Sequence, residues 1–386
     1  MGVIPLIFMD NAAGSWPKPA QVRRAVANSF QNYGANPGRG AYRLSLDTAR
    51  MVYDVRSRLT ELVGGEDPER LIFTSGATTA ANLALKGWLR PGDHVIYSGM
   101  EHNAIYRPLK QLEDKGLIST DCIEADADGY IDPDDFAAAI RDETRLLVCL
   151  HASNVTGSVQ PVAGVGKLSK KTGIPLLVDA AQSAGALPIN CREMGISFLV
   201  LAGHKALYGP PGIGALYAAP GLEPEPLISG GTGSHSHQWQ QPPEWPERHE
   251  SGTINVPGIA GLGGSLDFLR DAGPEWLLEF ELELAGKFAE GASLIPGIRL
   301  YLPQDERPRA PLVSLNLNKM DPGEAAFLLD RDYGIAVRSG LHCTPLAHQA
   351  IGSFPTGTVR FSFGYFNTLR EVKTVLFALN KLSHKY

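Results

Sequence analysis

The sequence predicts an α/β protein, with a mostly parallel central sheet, helices on both faces, and a smaller C-terminal α+β domain. Three observations predict it. Short apolar runs of the kind buried in parallel sheets alternate with stretches at helical spacing from Leu71 to Tyr217. Each run hands over to polar residues at its carboxyl end, where open α/β sheets bind ligands. Over Gly230–Asn255 the composition shifts to Gly, Ser, His, Gln, Pro and Trp, and a second set of helices and strands follows.

In chain order, Phe8-Met9-Asp10-Asn11-Ala12-Ala13-Gly14 reads as a short strand leaving into a small-residue turn. Pro17 and Pro19 lead into a helix over Ala20–Tyr33, and Asn36-Pro37-Gly38-Arg39-Gly40 is a loop. Ser45–Leu62 carries apolar residues at helical spacing until Gly64-Gly65 ends it. Leu71-Ile72-Phe73 is a strand that enters Thr74-Ser75-Gly76-Ala77-Thr78-Thr79 and a small-residue helix through Leu85. Further strands are expected at His94–Tyr97, Arg145–Leu150, Leu176–Val178, Phe198–Leu201 and, after a glycine loop, Ala215–Tyr217. Gly230–Asn255 is a long loop. Its His235, His237 and His249 lack a cysteine or carboxylate pair at ligand spacing, so they read as solvated and no metal site is expected. Helical periodicity from Ile259 to about Ala289, broken near Gly273-Pro274, bridges to strands near Val313–Leu317 and Val359–Phe363 and helices over Glu324–Leu329 and Leu369–Leu382. The expected division is a large domain, 15–260, and a small one formed by 1–14 with 261–386.

The totals bound the function. A chain of 386 residues, 44% hydrophobic and 20% charged, is ordinary soluble globular material sized for two to three domains. A net charge of −6 without a basic stripe argues against nucleic acid as a partner. No apolar run reaches bilayer length, and Met1–Asp10 lacks the basic flank of a secretory peptide. The scattered Cys122, Cys149, Cys191 and Cys343 form no CxxC and fit a reducing cytoplasm. The first three read as packing residues. Cys343 lies among Gly340, His342, Thr344 and Pro345, a poor core segment, and near Arg338, surroundings that favour thiolate.

The strand ends supply Ser75, His102, Asn154, Asp179 with Gln182, and His204 with Lys205, which together read as one site. Strand, glycine turn and hydroxyl-bearing helix start around Gly76 suit a phosphate, although capping alone would use the same residues. A lysine, an aspartate from a neighbouring strand end and a phosphate turn suggest pyridoxal 5'-phosphate. That cofactor needs a lysine as Schiff base and a carboxylate to keep its pyridine nitrogen protonated.

The chain resembles the class V aminotransferases, pyridoxal-phosphate enzymes of fold type I, and within them the cysteine desulfurases and selenocysteine lyases. The likeness rests on Asp10-Asn11-Ala12-Ala13, Thr74-Ser75-Gly76-Ala77-Thr78, Glu101-His102-Asn103, Val178-Asp179-Ala180-Ala181-Gln182, Gly203-His204-Lys205, Glu250-Ser251-Gly252-Thr253 and Val337-Arg338-Ser339-Gly340-Leu341-His342-Cys343. It implies that Lys205 bonds the cofactor, Asp179 pairs with the ring nitrogen, His102 stacks on the ring, and Gln182 with Asn154 lies beside the hydroxyl. Ala77, Thr78 and His204 would hold the phosphate, and Thr253 would reach the phosphate of the other subunit in a homodimer with shared sites. Arg360 would clamp the substrate carboxylate, with Asn11 and Arg338 beside it, and Cys343 would accept sulfur. The implied activity is cytoplasmic desulfuration of L-cysteine to L-alanine and an enzyme persulfide, with a sulfur-acceptor protein as candidate partner. Selenocysteine lyase, or an aminotransferase or epimerase on the same scaffold, is the alternative. Ala202 stands where many relatives carry a phosphate-binding serine, and Leu341 where a second histidine often precedes the His-Cys pair.

Overall fold

The apolar runs form strands and the periodic stretches form helices in the computed structural model, which describes residues 5–38, 40–233, 237–303, 307–318 and 320–385. Arg39, His235 and the first four residues of the apolar opening segment lie outside the described residues. A short strand, β1 (Ile7–Phe8), and two helices, α1 (Ala20–Asn32) and α2 (Arg43–Leu62), come first. Then follow β2 (Leu71–Thr74), α3 (Ala77–Trp88), β3 (Asp93–Ser98), α4 (Asn103–Asp114), β4 (Ile118–Ile123), α5 (Pro133–Ala138) and β5 (Thr144–Leu150). Next are α6 (Val162–Thr172), β6 (Leu176–Asp179), α7 (Cys191–Met194), β7 (Phe198–Ala202) and β8 (Gly214–Ala218). The remainder comprises α8 (Val256–Ala272), α9 (Pro274–Ser293), β9 (Ile298–Tyr301), β10 (Leu312–Leu317), α10 (Pro322–Tyr333), β11 (Ile335–Ala336), β12 (Arg338–Gly340), α11 (Pro345–Ala350), β13 (Thr358–Ser362) and α12 (Leu369–Lys385).

Seven strands make the main sheet in the order β2-β8-β7-β6-β5-β3-β4. All run parallel except β8, which is antiparallel to β2 and β7. The short glycine loop after Lys205 is the reason, because a parallel crossover needs a dozen or more residues and a tight return does not. A Cβ on Gly203 would sit 2.7 Å from the Ile213 carbonyl oxygen, so only glycine permits this turn. Strand alternation splits the core. Phe198 and Val200 face one side of the sheet with Ile72, Val95 and Leu146, while Leu199 and Leu201 face the other with Phe73, Ile96 and Leu147.

A four-stranded antiparallel sheet, β12-β13-β10-β9, builds the C-terminal part over its own core, which draws Ile7 and Met9 together with residues from Leu284 to Leu382. The strand β1 pairs parallel with β11, tying the start of the chain to that unit. The helix α8, which carries the expected boundary, gives Ile259, Leu262, Leu266 and Leu269 to the main-sheet core. No helix among the described residues is long and apolar enough to cross a membrane.

Helices α1 and α8 lie close because glycines line the contact. A Cβ at Gly264 would stand 2.6 Å from the Gln21 carbonyl oxygen and 2.9 Å from Ala25 Cβ, whereas one at Gly286 in α9 meets only the end of Arg309 at 4.0 Å. Gly264→Ala should cost about 1–3 kcal/mol by overpacking and lower Tm in thermal denaturation. Gly286→Ala should leave Tm unchanged or raise it, by up to about 1 kcal/mol of helix propensity. Equal effects would show that the α1–α8 contact is not close-packed.

Candidate active site

The carboxyl ends of β2, β3, β5, β6 and β7 open into one pocket of about 360 Å³. Ala77, Thr78, His102, Asn154, Asp179, Gln182, His204, Lys205 and Arg338 all line it. A larger hollow of about 830 Å³ between the end of α1 and α2 is lined by Arg43, Asp47 and Arg50, which pair with one another, and holds none of these residues.

Asp179 ends β6, fully buried, and its Oδ1 accepts the Ala181 N–H at 2.9 Å. Burial pushes its carboxyl up, and the Lys205 charge and the Ala181 N–H pull it back. Lys205 follows the Gly203 turn. Burial lowers its amine and nearby Arg360 and Arg338 lower it further, with Asp179 opposing them. The His204 carbonyl behind it accepts from Ser15 N–H at 3.0 Å and from Lys18 Nζ at 2.8 Å, which fixes the turn. Burial leaves the Lys18 amine at about 8.

His102 caps α4, its Nδ1 accepting the Ala104 N–H at 3.0 Å, so the ring proton sits on Nε2. Burial, then the charges of Lys205 and Arg338, lowers it to about 4, and it is neutral at physiological pH. Behind it Glu101 is buried, accepting from Ser98 Oγ at 2.7 Å and Leu150 N–H at 2.6 Å, and burial raises it to about 8. The helix α3 begins without a side-chain cap, and the Ala77 and Thr78 N–H groups at its start carry no hydrogen bond among the described residues. His204 Nδ1, buried in the same wall, also lacks a partner.

These observations test the fit of pyridoxal phosphate. Uncapped amides at a helix N-terminus suit a phosphate. Asp179 keeps Oδ2 for a ring N–H, and a lysine stands in the same wall. The residues fit the cofactor. Ala202 also lines the pocket and offers no hydroxyl there.

Cys343 is exposed in a neighbouring hollow of about 540 Å³, and Arg338 lines both cavities. Arg338 Nη2 donates to Cys343 Sγ at 3.4 Å. The cysteine loop is strained, with φ of 48° at His342 and 62° at Cys343. Asn154 fastens it, donating to the His342 carbonyl at 2.7 Å and accepting from Thr344 Oγ1 at 2.7 Å. The Asn103 N–H donates to the Cys343 carbonyl at 2.8 Å. Leu341 lines the outer hollow.

Three expected site residues lie elsewhere. Arg360 is 1% exposed and outside the pocket lining; Nη2 donates to Asp10 Oδ1 at 2.7 Å and Nη1 to the Asn154 carbonyl at 3.0 Å. Asn11 lines a separate cavity of about 40 Å³ that touches Lys205, with its amide given to the Ser362 carbonyl and Asn367 Oδ1, both at 3.0 Å. Thr253 is exposed beside Asn36 Nδ2, 3.5 Å away, apart from the Lys205 pocket. In the long loop His237 is exposed, but His249 is not the solvated residue expected. It packs on Trp245 with ring centroids 4.3 Å apart, and burial lowers it to about 4. Residues the sequence did not flag are Asp10 on Arg360 and the buried Tyr208–Glu281 pair, in which Tyr208 Oη donates to Glu281 Oε1 beside Lys205.

Known proteins resemble this chain in sequence and in fold. The family model Aminotransferase class-V matches residues 7–375. A probable cysteine desulfurase of Methanothermobacter thermautotrophicus is 34% identical over 373 residues, 95% of this chain and 92% of that protein. A cysteine desulfurase of Shigella sonnei is 33% identical over 98% of this chain and 94% of its own. The apo structure of a cysteine desulfurase from Thermococcus onnurineus matches with a TM-score of 0.91 and 32% identity, covering 99% of this chain and 95% of that one.

Glu281 allows a pH test. Burial raises its carboxyl from 4.5 to about 8. Between those values the native state keeps a proton that the unfolded chain has lost. Its stabilising contribution is therefore complete below about pH 4.5 and lost as pH rises through about 8. Glu281→Gln should show a smaller fall in Tm than wild type between about pH 5 and about pH 8.5. An identical fall would mean that Glu281 is already ionised in the native protein.

Proposed function

The chain belongs to the class-V aminotransferase family, and from that premise we infer that it is a cysteine desulfurase dependent on pyridoxal phosphate. It takes sulfur from L-cysteine, releases L-alanine and carries the sulfur as a persulfide on Cys343. The observation that carries this reading is Arg338, which lines the Lys205 pocket and the Cys343 hollow alike and donates to the thiol. An aminotransferase or epimerase would need the lysine and the aspartate but has no use for a thiol at the mouth.

When bound, pyridoxal phosphate supplies an aldehyde that captures the substrate amine and a ring that stores the electron pair left at Cα. The residues that would hold it are Ala77, Thr78 and His204 at the phosphate, Asp179 at the pyridine nitrogen, His102 on the ring face, and Gln182 with Asn154 beside the hydroxyl. Lys205 takes the Cα proton. Its buried amine, held below the ordinary lysine range, is populated as a neutral base closer to neutrality. Arg338 in the wall offers a guanidinium to the substrate carboxylate, with Arg360 behind it. Cys343 Sγ then bonds to the substrate sulfur as the substrate C–S bond breaks. L-cysteine and a thiol enter; L-alanine and a persulfide leave.

Two copies share their sites in this reading, with Thr253 of one reaching the phosphate in the other. Its exposed position, away from the pocket of its own chain, supports that arrangement. The reaction is assigned to the cytoplasm, and the four unpaired cysteines support a reducing compartment.

The purified enzyme should absorb near the visible edge, and Lys205→Ala should abolish the band. Incubated with L-cysteine and a reducing thiol, wild type should release alanine and sulfide in equal amounts. Cys343→Ala should lower sulfide release at least about a hundredfold. Undiminished turnover of L-cysteine in that variant would return the protein to the aminotransferases and epimerases. Selenide release surviving in it would identify a selenocysteine lyase.

A further inference from the structure

Outside the thiol, the hollow of about 540 Å³ has a one-sided charge. Its lining includes Arg107, Arg338, Tyr106 and Cys343, and no acidic side chain among the described residues. His342 in its wall is held neutral, because burial and the nearby arginines lower it to about 2. Arg338 is shared between the two cavities, with Nη2 donating to the thiol and the same guanidinium lining the Lys205 pocket. Arg107 is not committed to anything. It is exposed on α4 and makes no hydrogen bond or ion pair among the described residues. Lys110, the next basic residue on that helical face, is by contrast neutralised by Glu113 at 2.8 Å and Asp114 at 3.2 Å. Arg107 and the thiol line the same hollow. Asn103, whose N–H holds the Cys343 carbonyl at 2.8 Å, precedes Arg107 by one helical turn, a rise of about 5.4 Å. A concave, cationic surface without counter-charge concentrates anions. Its volume falls in the range of small-molecule sites, about 300–1,000 Å³.

We propose that the sulfur on Cys343 is discharged to a small thiol bearing a carboxylate near its sulfur, and that Arg107 receives that carboxylate. The proposal rests on the reading of Cys343 as the persulfide carrier. In the step, the acceptor thiolate attacks the outer sulfur of the persulfide and a new S–S bond forms. The bond from that sulfur to Cys343 Sγ breaks, and Cys343 leaves with the electron pair as a thiolate. The acceptor departs as a persulfide. No outside oxidant or reductant enters.

The test uses holoenzyme loaded with L-cysteine and freed of excess substrate, with the added sulfur followed by intact-protein mass spectrometry. Discharge is timed with 3-mercaptopropionate, 2-mercaptoethanol and cysteamine at matched thiolate concentrations. Wild type should prefer the anionic thiol to the neutral one by roughly fivefold and disfavour the cationic one, and salt should narrow the gap. The anionic-to-neutral ratio should fall to about one in Arg107→Gln, invert in Arg107→Glu and return in Arg107→Lys. A ratio near one in wild type, or a preference that survives Arg107→Gln, would overturn the proposal and favour a protein acceptor docking over the hollow. Failure of the protein to gain sulfur in the loading step would overturn the Cys343 assignment as well, by a separate readout.

Discussion

Two opposite charges in one crevice govern this molecule. Asp179 closes β6, and Lys205 follows β7 by one turn, on the adjacent strand. Each would be costly to bury alone, because desolvation drives the carboxyl up and the amine down. Each also makes the other's charge cheaper to keep. The parallel sheet enforces the pairing, since neighbouring parallel strands must end on the same edge. The same edge carries the uncapped start of α3 and the neutral His102, so phosphate, ring and amine chemistry find their groups within one pocket of about 360 Å³.

The thiol depends on a second constraint. His342 and Cys343 both adopt left-handed backbone conformations, at a cost on the order of 1–3 kcal/mol each. Asn154 in the loop after β5, the Asn103 amide at the start of α4 and Thr358 on β13, whose Oγ1 lies 3.0 Å from His342 Nε2, hold the loop in place. Asn154 thus links the sheet that carries the lysine to the loop that carries the sulfur. Its carbonyl also takes a hydrogen bond from Arg360, so the small sheet enters the same network.

Legibility in the sequence followed the physics of each feature. Phe198–Leu201 and Leu176–Val178 were readable as strands because both faces are buried and the run is uniformly apolar. The edge strand β4, Ile118–Ile123, was not, because only its ends are buried and its middle is polar. His102, Asp179 and Lys205 could be found because each lies in the short polar segment after an apolar run. Asp10 on Arg360 could not, since 350 residues separate the partners and neither carries a periodic signal. His249 reads as solvated because a histidine in a polar loop gives no sign that Trp245 will cover it.

The sequence alone determined the alternation of strand and helix and the convergence of polar residues, Asp179 and Lys205 among them, just past the strand ends. Those features depend on local periodicity and on neighbours in the chain. Tertiary structure alone decided that β8 turns back against β7, that Arg338 rather than Arg360 stands in the pocket wall, and that Arg107 lines the hollow of Cys343 without an acidic neighbour in that lining. Such outcomes are set by which distant side chains come within a few ångströms of one another, and no local pattern encodes a distance across the fold.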